Sequence, residues 1–218
     1  MLIRLLSEIF ARKPGLREAF TEIYRNNLWQ GNESRSGTGS SLAQTASVRR
    51  ELVPLLRRLG GNTLVDAACG DFAWMKEVDL GGIQYTGVDI VAEMIAENKK
   101  RHGGAARRFL ELDITRKVPP RADLILCRDC LVHLSFERAL AAVANFKRSG
   151  AVYLLATTFT ERKENCELMG LVSWRPLNLQ LPPFNFQPPM TLIDEECPEE
   201  EGRYRDKSLG LWRLADLP

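Results

Sequence analysis

The chain of 218 residues is 44% hydrophobic and 27% charged, the balance of one globular domain with room for an accessory segment and not of a disordered chain. No stretch approaches the ~20 apolar residues that a membrane span needs. A net charge of +2 lacks the overall basic bias of a nucleic-acid surface, so DNA is not expected as a partner.

From the N-terminus, Leu2, Leu5, Leu6, Ile9 and Phe10 share one face at helical spacing. The stretch carries Arg4 and Glu8 and no small-residue cleavage site, which argues against a secretory signal. It is expected to cap a site. Pairing into a homodimer is the next reading, and contact with a membrane surface the third. Pro14 stands where a second helix begins, running through Ala19, Phe20, Ile23 and Tyr24. Residues 31–41, GNESRSGTGSS, form a Gly/Ser-rich loop. A helix over 42–59 follows, interrupted by Pro54 and stopped by Gly60-Gly61. Residues 1–60 are thus a helical cap with a loop, and 61–218 the main domain.

Between 62 and 160, apolar runs at 63–67, 84–88, 107–112, 122–126 and 151–156 alternate with helical patterns at 72–78, 90–101 and 136–147. Continuous rather than alternating apolar runs imply strands buried on both faces, as in a doubly wound, mostly parallel α/β sheet. Ser135 is the expected N-cap of the last helix. Residues 160–190 form a proline-rich insertion, with Pro176, Pro182, Pro183, Pro188 and Pro189 excluding a regular helix or inner strand. Strands at 190–194 and 208–214 close the chain around an acidic loop. That loop and the basic stretch 99–121 are expected to be solvated. The five cysteines lack framework spacing, so reduced thiols and a cytoplasmic location are expected. Cys127 and Cys130 have no second pair to complete a zinc site, and no metal is expected.

The first strand ends in Asp66-Ala67-Ala68-Cys69-Gly70-Asp71 with a helix expected at Phe72. A small-residue turn between strand and helix suits a nucleotide-like ligand, because the backbone can come close and helix N–H groups are free. Its single glycine, Gly70, falls short of the dinucleotide fingerprint, which disfavours NAD. The second strand ends in Gly87-Val88-Asp89, with Ile90 next. Asp89 is placed to bridge two ribose hydroxyls. Leu112-Asp113-Ile114 ends the third, where Asp113 can accept from an adenine amino group and Ile114 can pack on the base. Asp66 is placed to hold the turn and meet a ligand ammonium.

Residues 62–160 resemble the core of a class I S-adenosylmethionine-dependent methyltransferase, through DAACGD (66–71), GVDI (87–90), LDI (112–114) and DLILCRDCLVHL (123–134). The wider pattern resembles small bacterial members of that family. The resemblance implies a Rossmann-like seven-stranded sheet with an antiparallel last strand. It puts the methionine part of S-adenosyl-L-methionine on Ala68 and Gly70, the ribose on Asp89 and the adenine on Asp113. Ala68 stands where the family often has glycine. The resemblance also points the end of the fourth strand at the transferable methyl. There, Asp129 and His133 are the candidate bases, and Arg128 a candidate for an anionic acceptor. Arg35 in the Gly/Ser loop is expected to hold the ligand carboxylate. Asn165, Trp174, Arg175 and Asn178 are expected to meet the substrate, although the proline-rich segment could equally cover a sheet edge. The expected activity is methyl transfer to oxygen or nitrogen of a small molecule, a sugar or secondary metabolite. RNA or protein as the acceptor, and a non-catalytic cofactor-binding protein, are the rivals.

Overall fold

The computed structural model describes residues 15–170, 173–197 and 202–218. The amphipathic stretch 2–10 lies outside the described residues. Four helices are described: α1 (Leu16–Asn26), α2 (Ala46–Arg58), α3 (Ala92–His102) and α4 (Phe136–Arg148). Seven strands form one sheet: β1 (Thr63–Ala67), β2 (Gln84–Asp89), β3 (Arg107–Glu111), β4 (Leu124–Cys127), β5 (Tyr153–Phe159), β6 (Thr191–Asp194) and β7 (Lys207–Arg213). Their order is β3-β2-β1-β4-β5-β7-β6. The first five pair in parallel, and β7 runs antiparallel to both β5 and β6.

Side chains alternate across this sheet into two cores. Val65, Ala67, Ile125, Cys127, Leu154 and Ala156 face one, packed on Ala139, Ala142, Val143 and Phe146 of α4. Leu64, Leu124, Leu126 and Leu155 face the other, packed on Val48, Leu52, Leu55 and Leu56 of α2 and Ile95 of α3. Both strand faces are therefore dry, and this is why the strands carry continuous apolar runs. Ser135 accepts a hydrogen bond from the Arg138 N–H as the N-cap of α4.

Two expectations change. No α-helix follows β1: Phe72 has φ +61 and only a 3-10 turn forms, at Met75–Glu77. Phe72, Trp74 and Met75 all enter the core, positions that a helix would spread around most of its circumference. The helix N-terminus expected to cradle a ligand is absent there. The helix expected from residue 42 starts at Ala46, because Leu42 N–H is held by Glu33 Oε2 at 2.7 Å. That helix continues past Pro54 to Arg58. As expected, the described part of the proline-rich segment forms neither helix nor inner strand, and its Leu177, Leu179, Phe184 and Phe186 cover the α4 face of the sheet. Among the described residues no helix is long and apolar enough to cross a membrane.

Candidate active site

Parallel strands present their C-terminal ends along one edge, and ligands of open α/β sheets bind there. A cavity of about 390 Å³ opens along this edge. Asp66, Ala68, Gly70, Asp89, Ile90, Asp113 and Ile114 line one end, and Arg128, Asp129, His133, Trp174 and Lys207 the other. Part of α1 and the Gly/Ser loop, including Arg35, form the roof.

The turn after β1 is clasped from above. Ser34 Oγ and the Arg35 N–H donate to the two carboxylate oxygens of Asp71, each at 2.8 Å, and Asp71 N–H donates to Ser36 Oγ at 3.3 Å. Gly70 has φ +58, and a Cβ there would collide with Ser36 Oγ. Only glycine satisfies both conditions without strain. Asn98 of α3 donates to the Gly70 carbonyl at 2.8 Å.

The strand-tip carboxylates differ in environment. Asp66 accepts from the Tyr85 hydroxyl at 2.8 Å, and burial pushes its carboxyl up to about 7. Asp89 accepts from Gly70 N–H at 3.2 Å and Val91 N–H at 3.1 Å, and burial pushes it up to about 6. Asp113 is half-buried and accepts from Thr115 N–H and Oγ1. Arg35 is exposed, and its guanidinium reaches the Tyr24 and Arg25 carbonyls at the end of α1 while lining the cavity.

At the far end four charged groups interlock. Lys207 Nζ lies 2.6 Å from Asp129 Oδ2 and 3.4 Å from Glu195 Oε2. Arg128 reaches Glu195 at 2.6 Å and Asp129 at 3.3 Å. Burial pushes the Asp129 carboxyl upward, but Lys207 and Arg128 overcome this and hold it at about 2. Such a carboxylate is ionised at neutral pH and is a weak proton acceptor, so the expected base role does not fit Asp129. Arg128 faces two carboxylates, so its charge is already matched and the expected anion-holding role does not fit either. Glu195, expected in a solvated acidic loop, is buried here.

His133 donates from Nδ1 to the Ser173 carbonyl at 3.1 Å, which leaves Nε2 as a lone-pair acceptor. Burial lowers its pKa below the ordinary histidine value. Its ring stacks on Trp29 at 4.9 Å between centroids.

Three expected substrate residues do not line the cavity. Arg175 donates to the Cys166, Leu131, Val132 and Leu134 carbonyls. Asn178 donates to the Thr160 and Arg162 carbonyls, and Asn165 to those of Asn178 and Pro182. Irregular backbone over a core leaves carbonyls that side chains must satisfy. Asp71, Glu195, Lys207, Trp29 and Tyr204 were missed. Only Asp71 had a local signal, its place beside Gly70. Among the described residues no group of His, Cys, Asp or Glu could hold a metal ion.

Residues 64–150 match the family model described as Methyltransferase domain. No curated protein sequence matches the chain. The solved structure of Burkholderia thailandensis 1,6-didemethyltoxoflavin-N1-methyltransferase, with 1,6-didemethyltoxoflavin and S-adenosylhomocysteine bound, aligns at a TM-score of 0.61. It is 18% identical over 91% of this chain and 86% of that one. Magnesium protoporphyrin IX methyltransferase from Synechocystis PCC 6803, with S-adenosylmethionine bound, aligns at 0.52 and 15% identity over 71% of this chain and 81% of that one. The cavity agrees with the cofactor these structures carry, since the buried carboxyls of Asp66 and Asp89 at one end have no ion-pair partner among the described residues. The matched segment, residues 64–150, and the strand order together make this chain similar in fold to the class I S-adenosylmethionine-dependent methyltransferases.

Proposed function

We infer that the chain transfers a methyl group to nitrogen or oxygen of a small molecule, with His133 as the base. One observation carries this reading. His133 Nε2 is left free in the cavity that also holds the three strand-tip carboxyls. The cofactor, when bound, would supply an electrophilic methyl on a sulfonium, and the acceptor whose lone pair takes that methyl must give up a proton.

Asp89 would take the ribose hydroxyls, Asp113 the adenine amino group, and Ile90 and Ile114 the faces of the base. Asp66 would meet the ammonium, Arg35 the carboxylate, and Ala68 with Gly70 the methionine chain. The described part of residues 1–60 would act as the cap, since α1 and the Gly/Ser loop roof the cavity. His133 Nε2 would take the proton that the acceptor releases. The small-molecule acceptor of the Burkholderia enzyme, which aligns over most of both chains, supports this substrate class.

The test is calorimetry with S-adenosylhomocysteine, followed by a methylation assay on the wild type and His133→Ala. Cofactor binding retained with turnover lost supports the assignment. Equal turnover of the two proteins removes His133 from the chemistry.

A further inference from the structure

The acceptor end of the cavity is walled by rings. Trp29 stacks on His133, and Phe20 meets both edge-on at 6.0 and 6.5 Å. Next to Ser173, which holds His133, Trp174 packs edge-on to Tyr204 at 4.9 Å and to Phe159 at 5.7 Å. All six line the same cavity. The polar groups among them are few. Arg128 and Lys207 are matched by Asp129 and Glu195, two cations against two carboxylates. That balance leaves no net positive charge for an anionic acceptor. Two carboxylate oxygens of this set, Asp129 Oδ1 and Glu195 Oε1, are buried with no hydrogen-bond partner among the described residues, and of the two residues Asp129 lines the cavity. An ionised carboxylate oxygen accepts only, so it calls for an N–H or O–H donor. A sugar, ringed with hydroxyls, would leave most of them unpaired against these walls.

Resting on the transferase reading above, we propose that the methyl acceptor is a planar aromatic or heteroaromatic molecule with a ring N–H or phenolic O–H. It packs against the Trp29–His133 and Trp174–Tyr204 pairs and donates a hydrogen bond to Asp129 Oδ1 from a ring N–H or O–H other than the one whose proton His133 takes. Flat rings gain from stacking and edge-on contact with such walls.

The test uses the full chain saturated with S-adenosylhomocysteine, read by calorimetry and tryptophan fluorescence. Binding of S-adenosylhomocysteine is measured first, and its failure sinks the transferase reading itself. Two matched probe pairs follow: lumazine with 1,3-dimethyllumazine, and 2-naphthol with 2-methoxynaphthalene. In each pair methylation removes the donor and keeps the ring. D-glucosamine is the non-planar control. The expected result is that a donor-bearing ring binds, quenches tryptophan emission, and exceeds its methylated partner by about tenfold in Kd. Trp174→Ala is expected to weaken that ring by about tenfold, and Asp129→Asn to erase the preference for the donor. Because the matched pairs are compared on the wild-type protein, a misfolded variant does not decide the outcome. S-adenosylhomocysteine binding with no planar probe bound overturns the proposal. So does equal affinity within both pairs, or glucosamine binding as tightly as the rings.

Discussion

His133 commits one ring nitrogen to the Ser173 carbonyl and so leaves the other as a lone-pair acceptor, as the proposed base role requires. Burial lowers its pKa, although the Ser173 bond and the Asp129 carboxylate oppose this. The imidazole is therefore neutral at pH 7 and charges only below the ordinary histidine value. Turnover is expected to be flat above about pH 6.5 and to fall on the acid side. Substituting His133→Gln should remove that acid limb and lower kcat by about 100-fold. A pH–rate profile with an unchanged limb in the variant would place the base elsewhere. The carboxyls behave in the opposite sense. Asp66 and Asp89, raised by burial to about 7 and about 6, hold protons that the unfolded chain has lost. Their contribution to stability is present at low pH and lost as pH rises through those values. A ligand ammonium and ribose hydroxyls favour the ionised forms, so S-adenosylhomocysteine should release protons on binding between pH 6 and 7. Calorimetry in buffers of different ionisation enthalpy measures this release, and affinity should fall as pH is lowered through the same window.

At the level of elements, the Gly/Ser loop and the turn after β1 act as one unit through Asp71. Replacing Asp71 by Ala unhooks two donors from the loop and is expected to cost about 1–3 kcal/mol. It should also weaken S-adenosylhomocysteine binding by roughly tenfold or more, with faster hydrogen exchange confined to the loop. Gly70→Ala should act similarly, through its left-handed φ and the collision with Ser36. Loss of affinity with unchanged loop exchange would show that the clasp does not govern the site. The strands were legible because burial on both faces leaves a local, continuous apolar signature, and Ser135 because a cap is local too. The turn at 72–78 was illegible, since whether Phe72 and Trp74 enter the core depends on distant packing. Asp129 looked like a base because its partner Lys207 lies 78 residues away. Arg175 and Asn178 looked like substrate contacts because sequence does not show which carbonyls an irregular segment leaves unpaired.

Across the whole molecule, the buried charges join parts of the chain that no local rule connects. Arg128 and Asp129 follow β4, Lys207 opens β7, and Glu195 follows β6, so the network ties the acceptor end of the parallel half to the antiparallel edge. Arg128, Glu195 and Lys207 are 4%, 1% and 6% exposed. Charges so buried gain from each other only as a set, and removing one strands the rest. Lys207→Met is therefore expected to destabilise the fold by about 3–5 kcal/mol, because Asp129 loses its nearest cation. Adding Asp129→Asn to that variant removes the stranded charge. The double variant should then be more stable than the sum of the singles predicts, by about 1–3 kcal/mol. The sign with pH follows from Asp129, which the network holds at about 2 against an ordinary 3.8. Its stabilising share is full above the ordinary value and is lost as pH falls toward about 2. Denaturant unfolding of the four proteins of this cycle at pH 7 measures the coupling. Strict additivity would mean that Lys207 and Asp129 sit side by side without depending on one another.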